Sequence, residues 1–223
     1  MSVETKRQMK SFSSGERSSS VRNRGRAEKS AARRMAILDA ALDEFSAQGF
    51  AATRIDDVAR RAGVAKGTIY LHFHDKEALF QEIVRTMLGP VVSALEAIRP
   101  GDQPVRPLIA SFIDLFVREV YGTKRRNVLR LVMTEGPRFP KLAEFHYREV
   151  VERGIAALRA LIEQALARGE LKHDVLLRFP QLIVAPGIVA IIWSGLFERF
   201  APLDVAGLMH AHLDIMFDQE SAS

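Results

Sequence analysis

The chain contains 223 residues, of which 48% are hydrophobic, and it carries a formal net charge of +5. Its length allows one large domain or two small ones with a sizeable apolar core. Because the chain has no cysteine, disulfide bridges, thiolate zinc sites and a cysteine nucleophile are excluded, and the composition suits a reducing cytoplasm.

The positive charge is concentrated at the start of the chain. Residues 1–30 hold eight Lys or Arg against three Glu, whereas residues 31–223 have 24 basic and 24 acidic groups. The same segment has few large apolar residues, so we predict a disordered basic tail. Two roles fit this tail: a passive solvated leader, or an arm that contacts DNA phosphates and adds salt-dependent affinity.

No segment is typical of secretion or membrane insertion. The N-terminal residues are hydrophilic, and the longest apolar run, residues 182–197, contains Pro186 and Gly187. A membrane-spanning helix needs about 18 or more apolar residues. We therefore expect a soluble, cytoplasmic protein in which this run is a buried or interface helix.

Helical periodicity begins at about Glu28 and ends at Gly49, which we expect to adopt the left-handed conformation after the last turn. Phe50 is then free to fold back on the apolar face. Thr53 is a predicted N-cap, with Asp56 at the capping-box position three residues later.

Two short helices and the start of a long one follow. The first ends at Gly63, and the second covers about residues 65–72, with Ile69 and Phe73 directed to the core. Asp75 is a predicted N-cap for the long helix. This arrangement is typical of a helix-turn-helix, which projects a small helix into the DNA major groove.

Beyond Gln103 the pattern predicts five helices, over about residues 108–120, 128–133, 142–167, 175–200 and 204–217. The whole chain then has about nine helices and no sheet.

Residues 53–80, TRIDDVARRAGVAKGTIYLHFHDKEALF, preceded by FSAQGF, resemble the DNA-binding domain of TetR-family transcriptional regulators. The resemblance implies an all-α fold in two parts: a three-helix helix-turn-helix domain over residues 31–80, and a helical effector-binding and dimerisation domain over residues 81–223.

The resemblance also assigns residues to DNA. Lys66, Thr68 and Tyr70 match positions that contact phosphates and bases, and Lys76 matches a lysine that commonly meets phosphate. Lys66 and Thr68 also lie near a helix N-terminus, whose free N–H groups attract phosphate. Ala65 departs from the family, where Ser is frequent. The implied DNA-binding residues are Thr53, Arg54, Lys66, Gly67, Thr68, Tyr70, His72 and Lys76.

The second half is rich in Phe and Met, which suits either core packing or a cavity for an apolar effector. The candidate effector pocket comprises Phe112, Phe116, Met133, Phe145, His146, Trp193 and Phe197. By resemblance the last two helices form the dimer interface, for which the candidates are Ile188, Ile192, Leu196, Leu208, His212 and Ile215.

The motifs do not favour an enzyme or a metalloprotein. The chain has no GxSxG, P-loop or GxGxxG motif, and no nucleophile accompanies Glu144 and His146. His210 and His212 are two residues apart, which places them on different faces of a helix. We expect no catalytic residues, no metal and no cofactor.

These features together predict a dimeric, ligand-responsive repressor that binds a pseudo-palindromic operator. Three alternatives stay open: a DNA-binding protein without a ligand, a transcriptional activator, and a helical binding or catalytic protein with a vestigial helix-turn-helix.

Overall fold

Two hydrophobic clusters organise residues 28–217, which are the residues described by the computed structural model. Over these residues the protein is all-helical, and the predicted fold class is confirmed. Two π-helical segments, Val117–Tyr121 and Tyr147–Glu152, continue the α-helices that end at Phe116 and His146. The helices are α1 (residues 28–48), α2 (Ile55–Ala62), α3 (Lys66–Tyr70), α4 (Lys76–Glu96), α5 (Val105–Phe116), α6 (Arg126–Glu135), α7 (Pro140–His146), α8 (Arg153–Ala167), α9 (Val175–Arg178), α10 (Gln181–Leu196) and α11 (Val205–Phe217).

The first cluster joins α1–α4 to α6 and α7. Phe50 folds back as predicted, with its ring centroid 5.2 Å from that of Phe45 and 5.0 Å from that of Phe139. Phe139 precedes α7, so the helix-turn-helix shares its core with the second half of the chain. The second cluster packs α5, α8, α9, α10 and α11 around the C-terminal end of α4.

The helix ends in the first half follow simple backbone chemistry. Gly49 and Gly63 have φ of +81° and +66°, a region that glycine enters without steric cost. Asp75 accepts a hydrogen bond from the backbone N–H of Ala78 at 2.7 Å, which confirms the predicted cap of α4.

Two local predictions are wrong. The N-cap of α2 is Arg54, without a side-chain cap, because the Thr53 hydroxyl donates instead to the carbonyls of Gly49 and Glu44. The single helix predicted over residues 175–200 is broken between α9 and α10. Phe179 has a non-helical backbone there, with φ −129° and ψ 64°, because the following Pro180 disfavours helical backbone.

Among the described residues, α4 is the helix that is long and apolar enough to cross a membrane by length and composition. Half of its apolar window is buried inside the protein, and one such helix is weak evidence of a membrane span. Its backbone continues as helix through Pro90. Residues 1–27 of the predicted basic tail lie outside the described residues. Residues 28–30, which were also assigned to the tail, belong to α1.

Candidate DNA-binding surface and the helical second half

An open groove of about 750 Å³ lies at the end of the molecule formed by the α1–α2 loop, α2, α3 and the start of α4. Five of the eight predicted DNA-binding residues line this groove: Thr53, Arg54, Lys66, Tyr70 and Lys76. The other three, Gly67, Thr68 and His72, lie on α3 and the turn that follows it.

The helix α3 is anchored on one side and open on the other. Ile69 is fully buried, whereas Tyr70 is 49% exposed and Leu71 is 83% exposed. A Cβ atom added to Gly67 would meet nothing within 4 Å, so this side of α3 is open to an incoming surface. The short helix therefore presents its outer side chains to solvent while its apolar side fixes it to the core.

Leu71 is a further surface residue, which the sequence motifs do not single out. It lies between the buried Ile69 and Phe73, and a residue between two inward-facing neighbours points away from the core. The position of Leu71 midway between two core residues was therefore the sequence signal for its exposure. Its side chain is therefore available for an apolar contact at the end of α3.

Lys66 connects α3 to α2 through an exposed ion pair. Its Nζ lies 2.9 Å from Asp56 Oδ2, and this hydrogen bond raises the pKa of the lysine. Exposed pairs of this kind are weak, because water screens both charges. The ammonium is therefore able to exchange Asp56 for a phosphate.

Thr53 and Lys76 lie in the groove wall, but their polar atoms are bonded to the chain itself. Thr53 is 1% exposed, and its hydroxyl donates to the Gly49 carbonyl at 2.8 Å. Lys76 Nζ donates to the carbonyls of Phe50, Ala51 and Thr53. Burial lowers the pKa of Lys76.

The candidate effector residues fall into three groups. Phe112 and Phe116 are half-buried on α5 and pack against both hydrophobic clusters. The ring centroids of Trp193 and Phe197 lie 5.1 Å apart. The Trp193 indole N–H donates a hydrogen bond to the Ala201 carbonyl at 2.6 Å. The third group, on α6 and α7, comprises Met133, Phe145 and His146.

The third group contains a buried polar atom. His146 is 8% exposed, and its Nδ1 has no hydrogen-bond partner among the described residues. Burial lowers the pKa of His146 to about 4. Phe145, the preceding residue, lies under the guanidinium of Arg85, which is 4.8 Å from the ring centroid.

A second groove, of about 420 Å³, lies between α4 and α8. None of the seven candidate effector residues lines it. Its walls are formed by the C-terminal turns of α4, where Glu96 pairs with Arg153 at 2.6 Å, and by the alanine-rich face of α8.

The helices α10 and α11 present an apolar face to solvent. Ile192, Leu196 and Ile215 are each about half exposed or more, whereas Leu208 and His212 are half-buried. His212 Nε2 lies 2.8 Å from the Leu182 carbonyl. The exposed large apolar residues of this region are Leu182, Ile188, Val189, Ile192, Leu196, Phe197, Phe200 and Ile215.

No group of three or more His, Asp or Glu within residues 28–217 is arranged to hold a metal ion. His210 instead lies 2.8 Å from Asp114.

Comparison with known proteins matches two parts of the chain to family models. The model of bacterial regulatory proteins of the tetR family matches residues 37–83, and that of the C-terminal domain of AefR-like transcriptional repressors matches residues 107–177. The HTH-type transcriptional regulator AcrR of Shigella flexneri is 36% identical over 102 residues, which are 44% of this chain and 47% of that protein. The chain thus matches about half the length of this curated relative.

Solved structures share the fold over most of the chain. GusR of Salmonella enterica has a TM-score of 0.66 and 26% identity, covering 83% of this chain and 95% of that one. FadR of Bacillus subtilis, solved in complex with stearoyl-CoA, has a TM-score of 0.67 and 21% identity, covering 82% of this chain and 97% of that one.

Proposed function

Because the chain belongs to the TetR family of bacterial regulatory proteins, we propose that it is a cytoplasmic transcriptional regulator that binds DNA sequence-specifically as a homodimer. The observation that carries this proposal is the groove around α3, in which exposed cations and an exposed tyrosine surround a short helix anchored by Ile69. Cations bind the phosphate backbone, and side chains on a projecting helix read base edges in the major groove.

Arg54, Lys66 and Tyr70 are the side chains best placed for this role. The two cations start α2 and α3, where free backbone N–H groups favour phosphate. Gly67 leaves the backbone of α3 open to close approach, and Leu71 offers an apolar contact. Thr68 and His72 complete the DNA-facing side of the segment.

A homodimer accounts for the exposed apolar face of α10 and α11. A continuous group of exposed, large apolar side chains on two adjacent helices is typical of a protein interface. Two subunits joined through this face would place two α3 helices in successive major grooves, about 34–36 Å apart. The operator is then a pseudo-palindrome.

The second half is proposed to bind a small lipophilic effector. The unpartnered Nδ1 of His146 supports this, since a buried polar atom that follows the half-buried Phe145 in the chain suits a mostly apolar ligand with one polar group. The FadR neighbour, which shares the fold, holds stearoyl-CoA. An effector that prefers the DNA-free arrangement by about 1–3 kcal/mol releases the operator.

The repressor is favoured over the activator because residues 107–177 match the C-terminal domain of AefR-like repressors. The family is generally non-enzymatic, and we propose that the protein needs no cofactor.

The first test of DNA binding is a fluorescence anisotropy titration of a 40-base-pair duplex of mixed sequence. We expect binding at low salt that weakens steeply as salt rises, because phosphate neutralisation releases counterions. Arg54→Gln should reduce the salt dependence. Absence of binding at low salt would contradict the proposal.

A further inference from the structure

Two arginines of α6, Arg126 and Arg130, have no carboxylate partner within the described part of the chain. They lie one turn apart, and their hydrogen bonds go to a backbone carbonyl and to a serine hydroxyl. The two cations that precede them are paired: Lys124 Nζ and Arg125 Nη1 lie 2.7 Å and 3.1 Å from carboxylate oxygens. The start of α6 therefore carries two positive charges that the described residues do not pair.

Arg130 is the less completely bonded of the two. A guanidinium has five N–H donors, and among the described residues a single acceptor, the Ser194 hydroxyl oxygen at 3.1 Å, binds to that of Arg130. The Ser194 hydroxyl donates its own proton to the Ile191 carbonyl, so it is a neutral acceptor. Nε of Arg130 is buried and unpartnered. Because a buried charged donor without an acceptor is costly, this arginine is suited to an acceptor from outside the chain.

The contact with α10 leaves the donors of Arg130 available. A Cβ atom added to Gly195 would lie 3.2 Å from Nε and 3.4 Å from both Cζ and Nη2 of this arginine. Since the three distances are nearly equal, Gly195 packs against the face of the guanidinium. The N–H donors point along the plane of the group, away from this contact, in the fork that matches a carboxylate or a phosphate.

Apolar surface follows the same side of α10. Gly187, Ile191 and Gly195 recur at four-residue intervals, which places them along one side of the helix. A Cβ atom added to Gly187 would lie 3.2 Å from the Phe116 ring. Phe116 packs against both hydrophobic clusters and is only half-buried, so solvent reaches its side chain. An accessible aromatic ring and an unpaired cation thus contact one helix at positions about 12 Å apart along its axis.

On these grounds we propose that the effector is an amphiphilic anion, whose carboxylate or phosphate binds Arg130 and whose apolar part lies towards Phe116. Arg126, whose Cζ lies 5.5 Å from the centroid of the Tyr121 ring, adds a second positive charge one turn away. The exposed Glu198 does not neutralise this site, because its carboxylate bonds with the Tyr121 hydroxyl at 3.3 Å. The inference rests on the proposed effector response and names the chemical class of the effector.

The chain contains its own reporter for this site. Trp193 is the single tryptophan and immediately precedes Ser194, so its fluorescence responds to binding beside Arg130. The probes are decanoate, decyl phosphate and the neutral decanamide, which share the same alkyl chain. We expect at least one of the two anions to bind about 10-fold or more tightly than the amide, because only an anion forms a charge-assisted hydrogen bond. Equal affinities, or no binding of any of the three probes, would overturn the inference.

Substitutions assign the preference to one side chain. Arg130→Gln should abolish the preference for the anions, and Arg130→Lys should keep part of it, because lysine retains the charge without the planar fork. The matched control is Arg125→Gln, which removes a neighbouring charge that Glu119 already pairs and should bind the anions as the wild type does. An undiminished preference in Arg130→Gln would overturn the inference. Loss of the dimer in this variant, measured by light scattering, would assign the cation to the subunit interface instead.

DNA binding separates this inference from the proposed function. The probe is a duplex carrying the inverted repeat that the protein selects from random sequence. Without an anion, wild type and Arg130→Gln should bind it equally. A saturating anion should weaken the binding of the wild type by about 5-fold or more and leave that of Arg130→Gln unchanged. Anion binding without any effect on DNA affinity would overturn the effector role. Failure of the wild type to bind any duplex would reject the proposed function, while the fluorescence titration still decides whether the anion site exists.

Discussion

His146 is a neutral imidazole held inside the protein at the end of α7. Burial lowers its pKa to about 4, below the value of about 6.5 expected for an unfolded chain. The unfolded state therefore binds the proton more tightly, so the stability contribution is complete above about pH 6.5 and is lost as the pH falls towards 4.

We predict that acid destabilises the wild type more than a variant without this imidazole. Between pH 7 and pH 4.5 the free energy of unfolding should fall by about 2–3 kcal/mol from His146 alone. In His146→Gln this part of the decrease should be absent, because the amide does not titrate. Urea unfolding at both pH values measures the difference, and carboxylates common to both proteins cancel. Identical pH dependence in the two proteins would contradict the assignment.

At this scale the sequence predicts which residues are near the DNA-facing end, but not what each polar atom bonds to. The family resemblance predicts that Thr53 and Lys76 bind DNA, and that stays a prediction. In the free protein their partners are loop carbonyls, whose orientation depends on the whole turn from Gly49. The ring contact between Phe50 and Phe139, 89 residues apart in the chain, has no signal in either local segment.

At the scale of elements, two helix starts in the DNA-binding half differ in their caps. The N-cap of α4 is Asp75, whose carboxylate accepts a hydrogen bond from the Ala78 N–H. The N-cap of α3 is Ala65, which has extended backbone at φ −68° and ψ 145° and no side-chain cap. Ala65 therefore has the backbone that an N-cap serine adopts.

We predict opposite effects for substitutions at these two positions. Asp75→Ala should lower the free energy of unfolding by about 1 kcal/mol, and Ala65→Ser should raise it by a similar or smaller amount. Thermal and urea unfolding give both values. If Ala65→Ser were neutral or destabilising, the explanation from capping would fail for α3.

Helices themselves are predictable where the apolar period and the end signals agree. The ends at Gly49, Gly63 and Asp75 were predicted from residue type, because each supplies a conformation or acceptor that few residues provide. The break at Pro180 was missed because the apolar residues on both sides continue the helical pattern. The backbone restriction on Phe179 outweighs that pattern.

At the scale of the whole molecule, the apolar face of α10 and α11 is the proposed dimer interface. We predict that Ile192→Asp converts the dimer to a monomer, because it places a charge on this face. Leu71→Asp is the matched control: it alters a leucine that is 83% exposed at the other functional surface and should leave the dimer intact. Light scattering measures the mass of each variant. A dimeric Ile192→Asp would place the interface elsewhere.

We predict that the basic tail makes a separate contribution to the proposed DNA affinity. Deleting residues 1–27, which ends before α1, should weaken DNA binding and lower its salt dependence, because the tail's cations neutralise phosphates. The deletion is compared with the full chain in the anisotropy titration over a range of salt concentrations. An unchanged salt slope would identify the tail as a passive leader.

The all-helical fold with its helix-turn-helix could be predicted from the sequence, because the residues of that motif lie close together in the chain. The residues of the proposed effector site could not be predicted in the same way, since phenylalanines that fill a core and phenylalanines that line a pocket have the same sequence pattern. Phe112 and Phe116 illustrate this: both pack against the two clusters, and the sequence contains nothing that distinguishes filling a core from lining a cavity.

The central claim, a sequence-specific DNA-binding dimer, is tested most directly by selection of random duplex DNA with the purified protein, followed by sequencing of the retained fragments. We predict enrichment of an inverted repeat whose half-sites are centred about one or more helical turns apart, about 10–10.5 base pairs each. Retained fragments without a common sequence, or no retention at low salt, would contradict the account.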